Sequence, residues 1–536
     1  MYDPKILPNE IFERRQQIGV DNSIRLLTEI LHLEEDNKKR ADALKYMYLF
    51  SKENPSIMED CFDSLENILI SDDNIEIKCE TAKLIGKLRL KSGLGPLKWV
   101  LNNIKNVPSL RTAVLKAIKK IKFEEDEIDL FINELNSPFN SVKEFIKNQL
   151  LSVPPDILIR KLLESLKIES FSNEMKTEII KLIGIGLSSI NITFDDSSFI
   201  KTKYPEIFLH LHEYKDILLD EILRILKSDD EELLNSTIII LNLLGSEIHE
   251  EIKKLLLTND FIIKKNAITI VGKLQIKDAI DLLIHNLDNM YNEVSIASIE
   301  TLGELGDLRA VPELLNILNI EDVNFEYSDI DMKFKIIDSV KKIYSKDKNT
   351  SYDYLYEFIE KENDAIKECV AFILGEIGKK EFTEILIEAL KNRNLEVKKN
   401  VIIALGKIGD VRALNHLLQI LKDPDTYWLI KKVAMDAIFN IFQANWYKFK
   451  LENNETIKRT FNKVRAEITD YLNQNGNGDF KVKLSIIKFL EKYGDLTSLD
   501  ALMKRLNDFY RIVRIHASNA IKKIEERFDE SENKDG

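Results

Sequence analysis

The sequence predicts an all-α fold, an α-solenoid of about fourteen two-helix repeats that forms a curved superhelix. Three observations point to this class: a pattern that recurs mostly every 30 to 38 residues, apolar residues at helical spacing within each copy, and few helix-breaking residues. Only 18 glycines and 11 prolines occur in 536 residues, which is few of the turn-forming residues that β-turns or many small domains require. A repeat of this size cannot bury its apolar face alone, so neighbouring repeats must stack.

The recurring pattern is clearest after residue 260. The stretches VSIASIETLGELGDLRAVPELL from Val294 and VKKNVIIALGKIGDVRALNHLL from Val397 share an aliphatic residue, a following residue that is usually basic, an apolar pair, a glycine and a second apolar run. Following the aliphatic–basic pair in both directions gives a ladder of fourteen residues, twelve of them basic. These ladder residues are Arg40, Lys78, Arg111, Lys143, Lys176, Leu234, Lys264, Ser295, Lys333, Lys367, Lys398, Lys431, Lys483 and Arg514.

Each ladder residue is predicted to lie on one helix, the rung helix, which is followed by a second, backing helix. Around Lys398, apolar residues recur at spacings of 4, 4 and 3, as on one face of an α-helix. Predicted N-caps stand four residues before the ladder residue, at Asn74, Asp260, Asn363, Asn394 and Asp479. The Gly-x-aliphatic-Gly-Asp runs at 303–307 and 406–410 are predicted to end their helices. The basic ladder residues are predicted to bridge adjacent units through carbonyls or acidic caps.

Residues from about 260 to 440 resemble HEAT repeats of the phycobilisome-lyase-like subclass, whose pattern is VRxxAAxALGxIGDxxA. The match is closest at Val397 and Lys398, at 404–410 and at Ala413, and it is looser before residue 250. The resemblance implies a solenoid whose rung helices line the concave surface. It leaves the activity open, because such repeats occur in scaffolds, transport receptors, lyases and DNA-repair proteins.

The ladder and its two long steps divide the chain into segments. We expect an N-terminal cap at 1–20, N-terminal repeats at 21–190, an insertion at 191–215, central repeats at 216–442, an insertion at 443–480, C-terminal repeats and a cap at 481–526, and an acidic tail at 527–536. Because loops on a rigid scaffold often carry specificity, the two insertions are candidates for loops that select a partner.

Composition narrows the class of protein. A net charge of −13 disfavours non-specific binding to nucleic acid or to an anionic membrane. No apolar run approaches 18 residues, and the N-terminus lacks the apolar stretch of a secretory leader. Cys61, Cys79 and Cys369 are too few and too scattered for a disulfide framework or a zinc site, and each is predicted to lie in a helix core. We expect a cytoplasmic protein with no membrane span, metal or cofactor.

Positions five and nine after the ladder residue face away from the apolar stripe, on the predicted concave surface. In the early repeats these positions hold Lys83, Lys87, Lys116 and Lys120. Lysines recur late and acids occur in the middle, at Lys488, Lys492, Lys523, Glu300, Glu304 and Glu376. A surface that is basic at both ends fits an acidic protein segment, although ordinary solvated charge accounts for the same pattern. Nucleic acid fits less well, because the lysines are not interleaved with aromatic residues.

A second candidate surface is aromatic. Tyr291, Tyr427 and Tyr510 occupy the same slot, four residues before the ladder residue, and Trp428 is adjacent. The slot is predicted to be the turn between helices, on a ridge of the solenoid. Exposed aromatic residues on a rigid ridge are typical binding anchors, and packing against the next turn is the alternative.

Catalytic signals are weak. The His-Glu steps at His212 and His249 resemble those of deoxyhypusine hydroxylase, a HEAT-like di-iron family that needs four such steps, and neither begins a rung helix. The sequence has no Gly-rich phosphate loop, GxSxG or HExxH motif. We therefore predict a non-enzymatic scaffold or adaptor that binds another protein, through an acidic or helical segment, on its concave face and ridge. The alternatives are a lyase or enzyme accessory subunit of the phycobilisome-lyase-like type, and a nucleic-acid-binding HEAT protein.

Overall fold

A computed structural model describes residues 6–53, 59, 61–190, 202–319, 327–346, 351–361, 363–451, 455–475 and 478–535. Within these ranges every regular element is a helix. The chain divides into two compact units, Met1–Leu255 and Leu256–Gly536. The division falls inside the predicted central segment 216–442. No helix in the described ranges is both long enough and apolar enough to cross a membrane.

The N-terminal unit is a stack of paired helices. Its rung helices are Asn37–Glu53, Ile75–Leu88, Pro108–Ile121, Asn140–Leu150, Asn173–Ser188 and Glu231–Leu244. Its remaining helices are Pro8–Glu13, Arg15–Ile18, Val20–Leu33, Phe62–Ser71, Leu94–Asn103, Glu125–Asn133, Pro155–Leu166, Pro205–Glu213, Lys215–Ile225 and His249–Leu255. Rung helices contact rung helices of adjacent repeats, so each repeat covers the apolar face of the next.

The C-terminal unit repeats the arrangement. Its rung helices are Phe261–Lys273, Asn292–Leu305, Tyr327–Lys346, Asp364–Ile377, Leu395–Ile408, Trp428–Leu451, Phe480–Tyr493 and Arg511–Asp535. Its backing helices are Ile280–His285, Ala310–Asn316, Asp353–Lys361, Thr383–Ala389, Leu414–Lys422, Glu455–Gln474 and Leu499–Arg505. All fourteen ladder residues of the chain thus lie on rung helices, which confirms the predicted all-α solenoid class.

Two ladder cations bind the C-terminal ends of the helices that precede their rung helices. Arg40 donates to the carbonyl of Leu31 at 2.8 Å, and Lys78 donates to the carbonyl of Ile70 at 2.8 Å. Both acceptors lie in the last turn of a helix, where backbone carbonyls lack partners and the helix dipole is negative. The predicted structural role of the ladder is confirmed at these positions.

The predicted caps are confirmed at all five positions. The side chains of Asn74, Asp260, Asn363, Asn394 and Asp479 each accept a backbone N–H in the first turn of a rung helix. In Leu395–Ile408, Asn394 accepts from Glu396 at 2.9 Å and from Val397 at 3.2 Å. The Gly-Asp run ends the same helix, because Gly409 adopts a left-handed conformation with φ of 71°.

Replacing Asn394 with alanine should lower the free energy of unfolding of the C-terminal unit by about 1 kcal/mol, the usual cost of losing an N-cap. Urea titration followed by circular dichroism would measure the change. Asn394→Asp keeps the acceptor and should match the wild type. Equal losses for the alanine and aspartate variants would rule out capping as the cause.

The predicted insertion at 443–480 is helical over most of its length. The rung helix Trp428–Leu451 extends into it, and Glu455–Gln474 is the backing helix of that repeat. The interpretation of this segment as a loop is therefore wrong. Of the other predicted insertion, 191–215, residues 191–201 lie outside the described residues, and Pro205–Glu213 is a helix.

The last rung helix, Arg511–Asp535, has a polar outer side. Ser518 and Lys522 are exposed, whereas Ile402 and Gly406, at the corresponding positions of Leu395–Ile408, are buried beneath the next repeat. The helix runs to residue 535, so residues 527–535 of the predicted tail continue it.

Candidate partner-binding surfaces

Four exposed lysines lie side by side on two neighbouring rung helices of the N-terminal unit. They are the predicted residues Lys83, Lys87, Lys116 and Lys120. The helices Ile75–Leu88 and Pro108–Ile121 approach closely because Gly86 has no side chain: a Cβ built there would lie 2.6 Å from the Cα of Ala117. The structure thus brings the four lysines onto one surface, which we call the lysine face.

Most of the lysine face is not neutralised. Lys83 donates to Glu80, with 2.6 Å between Nζ and Oε1, and this hydrogen bond raises the pKa of the Lys83 ammonium. Lys87, Lys116 and Lys120 form no ion pair with any residue in the described ranges. Three cations therefore remain available to an anionic partner.

Aromatic rings lie beneath Lys87 and Lys116 of the lysine face, so the expectation that lysines and aromatic residues are not interleaved is wrong at these two positions. The Nζ atoms of Lys52 and Lys87 lie 5.1 and 5.2 Å from the centre of the Tyr48 ring, and that of Lys116 lies 5.3 Å from the centre of Phe145. These contacts hold the ammonium groups while leaving their charge in place. The rings belong to adjacent repeats, so only an alignment of repeats by their ladder residues could have revealed them.

The predicted acidic stretch of the C-terminal unit is neutralised by lysines of neighbouring repeats. The pairs are Glu300–Lys335, Glu304–Lys273, Glu376–Lys341, Glu376–Lys407 and, farther along, Glu491–Lys523. Hydrogen bonds from Lys407 and Lys341, opposed by burial, hold the pKa of Glu376 below its usual range. The expectation of an acidic middle is wrong as a statement about net surface charge, because each of these glutamates has a partner from another repeat.

The predicted ridge tyrosines do lie at the starts of rung helices. Tyr291 immediately precedes Asn292–Leu305, is 42% exposed, and packs on Phe261 of the preceding rung helix with 5.1 Å between ring centres. Tyr291 therefore packs against the preceding repeat with one part of its side chain and exposes the rest to solvent.

The other ridge residues form a continuous row in the last three repeats. Tyr427 lies 5.5 Å from Trp428, and Phe480 stacks on Tyr510 at 4.7 Å between ring centres. Lys481 joins these two pairs, because its Nζ lies 4.1 Å from the centre of Trp428 and 5.9 Å from that of Phe480. Phe480 and Lys481 were not among the predicted site residues, although Phe480 occupies the same slot as Trp428, three residues before the ladder residue.

One concavity in the C-terminal unit has its charges satisfied. A cavity of about 680 Å³ lies at the C-terminal ends of two rung helices. Its lysines are paired, Lys342 with Asp338 at 2.8 Å and Lys341 with Glu376 at 3.3 Å. Such paired charges are a weak basis for binding a charged small molecule.

Two of the three cysteines are buried, and neither His-Glu step lies on a rung helix. Cys79 and Cys369 are buried on rung helices as predicted, and burial raises the pKa of the Cys369 thiol to about 11. Cys61 is half-buried beside a helix, so the prediction of a core position is wrong there. His212 and His249 both lie on helices that are not rung helices. The described residues contain no group of three or more His, Cys, Asp or Glu that could hold a metal ion.

Comparison with known families identifies the repeats. The profile for HEAT repeats matches residues 352–438, and that for PBS lyase HEAT-like repeats matches residues 296–319. The chain is a HEAT-repeat protein. No curated protein sequence matches this HEAT-repeat protein.

Several solved structures are similar to this HEAT-repeat chain. Kap121p bound to Pho4p is 10% identical, with 96% of this chain and 66% of that chain covered and a TM-score of 0.35. Kap95p, in a structure that concerns the switch loops of RanGDP, is 11% identical, with 94% and 72% covered and a TM-score of 0.40. An engineered protein is 14% identical, with 94% and 98% covered and a TM-score of 0.20. The chain spans slightly less than two thirds of Kap121p.

Proposed function

We propose that this HEAT-repeat protein is a non-enzymatic scaffold or adaptor that holds an acidic or helical segment of another protein against the lysine face. The observation that carries this proposal is the contrast between the paired glutamates of the C-terminal unit and the lysines of the lysine face. In the C-terminal unit the glutamates at positions five and nine are paired with lysines of other repeats. In the N-terminal unit Lys87, Lys116 and Lys120 have no such counter-charge among the described residues.

Uncompensated charge supports a binding role because it is unfavourable in the free protein. Like charges at the same level of packed helices repel one another, and an acidic segment would relieve that repulsion while displacing only mobile counter-ions. Lysines act as flexible point charges, so the face suits an acidic segment without fixed bidentate geometry. Tyr48 and Phe145 hold two of the ammonium groups in place, which lowers the entropy cost of ordering them.

A second candidate is binding of single-stranded nucleic acid, because rings and cations that alternate can track a backbone. Two observations oppose it. Tyr48 and Phe145 are half-buried with lysines over their faces, which leaves little ring surface for stacking a base. The net charge of −13 also opposes a polyanion as long as a nucleic acid.

The test is charge reversal of the lysine face, Lys83, Lys87, Lys116 and Lys120 all to glutamate. Fluorescence anisotropy with a labelled poly-glutamate peptide should show binding by the wild type and at least a tenfold loss in the variant, because attraction becomes repulsion at each site. Affinity purification with mass spectrometry should show a partner that the variant loses.

A matched control carries the same charge change elsewhere in the N-terminal unit. Lys38, Lys105, Lys227 and Lys254 are exposed and lie outside the lysine face, so their replacement by glutamate should leave binding nearly unchanged. If both variants lost the same affinity for the peptide, the change in net charge alone would account for the loss, and the proposal would be overturned. Tighter binding of an oligonucleotide than of the peptide would favour the nucleic-acid candidate.

A further inference from the structure

A cavity of about 350 Å³ lies between three consecutive rung helices of the C-terminal unit, Tyr327–Lys346, Asp364–Ile377 and Leu395–Ile408. Phe334 and Phe372 line it, and we call it the phenylalanine cavity. Pockets that bind ligands usually measure about 300–1,000 Å³. This cavity is at the lower end of that range, so it has room for one large side chain or a small ring system.

The two phenylalanines stand at positions where the repeats do not otherwise carry rings. Phe334 directly follows its ladder residue, Phe372 lies five positions after its own, and the same positions after every other ladder residue hold no aromatic residue. Phe334 is 61% exposed, whereas Ile337 and Cys369, which also line the cavity, are 6% and 1% exposed. A single exposed apolar side chain is ordinary on a protein surface, but one that lines an apolar cavity is typical of a binding site.

The phenylalanine cavity offers no unpaired charge. Among the described residues that line it, only Lys333 and Glu368 are ionised, and their Nζ and Oε1 atoms lie 3.3 Å apart between two rung helices. Burial raises the pKa of the Cys369 thiol to about 11, so this group is neutral at physiological pH. A charged group placed in the cavity would lose its hydration without gaining a counter-charge. The lining therefore favours an uncharged occupant.

One lining residue has an unused hydrogen-bonding group. Asn400 is half-buried, and its side-chain amide makes no hydrogen bond with any residue in the described part of the chain. A purely aliphatic occupant would cover this amide without replacing its contacts with water, which is unfavourable. The indole of tryptophan and the phenol of tyrosine combine a ring that packs on phenylalanine with one polar group that needs a partner. Such an amphipathic ring fits the cavity best.

The exposure of the cavity favours a side chain of a partner protein over a free small molecule. Small-molecule sites bury about 70–90% of their ligand, whereas Phe334 is 61% exposed here. A small ring held in the cavity would leave part of this phenylalanine uncovered. A protein segment continues beyond its anchoring side chain and covers the rim as well. Tryptophan and tyrosine are also the commonest anchors of protein–protein contacts, and they typically occupy pockets of this kind.

We infer that the phenylalanine cavity receives a tryptophan or tyrosine side chain from an uncharged segment of a partner protein. Phe334 and Phe372 pack on its ring, and Asn400 pairs with its N–H or O–H group. The inference rests on the proposed function, that this chain holds other proteins. It gives the C-terminal unit a contact whose chemistry differs from the electrostatic one at the lysine face.

The experiment uses the full chain and N-acetyl-tryptophanamide, an uncharged tryptophan probe. One side chain makes few contacts, so we expect a Kd of roughly 1 mM, which a titration followed by saturation-transfer difference NMR measures. Phe334→Ala should weaken binding about fivefold or more. Phe334 is largely exposed, so the variant should fold, and circular dichroism would check this. Equal affinity of this variant and the wild type would overturn the inference.

The matched control removes a phenylalanine that is exposed elsewhere. Phe509 is 89% exposed and lies in another repeat, outside the cavity. Phe509→Ala should therefore bind the probe as the wild type does. If it lost as much affinity as Phe334→Ala, the probe would be binding exposed rings in general, and the inference would be overturned.

A second comparison tests the hydrogen bond to Asn400. N-acetyl-tyrosinamide and N-acetyl-phenylalaninamide differ only in one hydroxyl group, and the wild type should bind the tyrosine probe about threefold more tightly or better. Asn400→Leu should abolish this preference and still bind the phenylalanine probe. A general loss of structure would weaken both probes without changing their ratio. Equal binding of the two probes by the wild type would contradict the assigned role of Asn400.

Two further measurements separate the source of the ring and the fate of the proposed function. A short Gly-Ser peptide with a central tryptophan should bind at least as tightly as N-acetyl-tryptophanamide, because its chain extends over the rim. Weaker binding of the peptide would overturn the inference in favour of a free aromatic molecule. The charge-reversed lysine-face variant should keep its affinity for the probe. If the wild type bound poly-glutamate but not the probe, the inference would fail and the proposed function would stand.

Discussion

Replacing Asp508 with alanine is expected to destabilise the C-terminal unit by about 3–5 kcal/mol, because it removes the carboxylate that is paired with a buried ammonium. The Nζ of the ladder residue Lys483 lies 2.5 Å from Oδ2 of Asp508, and the two side chains are 6% and 2% exposed. The other carboxylate oxygen accepts the backbone N–H of Tyr510 at 3.0 Å. One buried carboxylate therefore joins the last two rung helices and fixes the start of the second.

Hydrogen exchange at the amides of Phe480–Tyr493 would measure this loss, since it reports local opening even when a long repeat array does not unfold in one step. Asp500→Ala is the control. This variant removes the carboxylate that lies 2.9 Å from Nζ of Lys504, in a pair whose lysine is 51% and whose aspartate is 69% exposed. It should lower the free energy of unfolding by at most about 1 kcal/mol. A loss for Asp508→Ala no greater than this control would contradict the prediction. The double variant Lys483→Met and Asp508→Leu should recover most of the stability, because it removes both charges.

The sequence predicts the local parts of this fold well, because their causes lie within a few residues. An N-cap such as Asn394 is defined by its own side chain and the next three amides, so its spacing from Lys398 is sufficient to locate it. The rung-helix stripe of Val397, Val401 and Leu405 is equally local, and all three residues are buried as its spacing implies.

Contacts between repeats could not be predicted in the same way. Lys335 and Glu300 are 35 residues apart and meet only because two rung helices pack at one level. The packing of the two helices decides whether a glutamate is paired with a lysine. The sequence pattern shows the glutamates of the middle repeats but not the lysines that pair with them. The same holds for Tyr48, whose ring is covered by a lysine of the next repeat.

The helix Glu455–Gln474 was misassigned for a different reason. Its apolar residues Phe461, Val464, Ile468 and Leu472 are buried at spacings of 3, 4 and 4, which is a helical face. The segment is interpreted as an insertion because the step from Lys431 to Lys483 is long. Because helix length varies between repeats, the apolar periodicity within the segment predicts the helix better than the distance between ladder residues does.

Replacing Gly375 with valine should destabilise the C-terminal unit by about 1–3 kcal/mol or more, the cost of forcing extra atoms into a filled contact. A Cβ on Gly375 would lie 2.7 Å from the Cα and 2.8 Å from the Cβ of Ala404 on the next rung helix. One of these atoms belongs to the backbone, so a side chain cannot simply turn aside. The two rung helices would have to separate, and every repeat beyond them would shift with the second.

Gly186→Ala in the rung helix Asn173–Ser188 separates this steric effect from helix propensity. Its nearest neighbours, Ile159 and Leu158, would lie 3.7 Å from a new Cβ, an ordinary contact. Alanine is favoured over glycine in a helix by up to about 1 kcal/mol, so Gly186→Ala should be neutral or stabilising in urea titration. Gly375→Ala combines the gain in helix propensity with the steric clash against Ala404. The change in its free energy of unfolding should therefore lie between those of Gly186→Ala and Gly375→Val. If Gly375→Val were as stable as the wild type, the rung helices could separate freely at this point, and close approach through glycine would not be what sets their spacing.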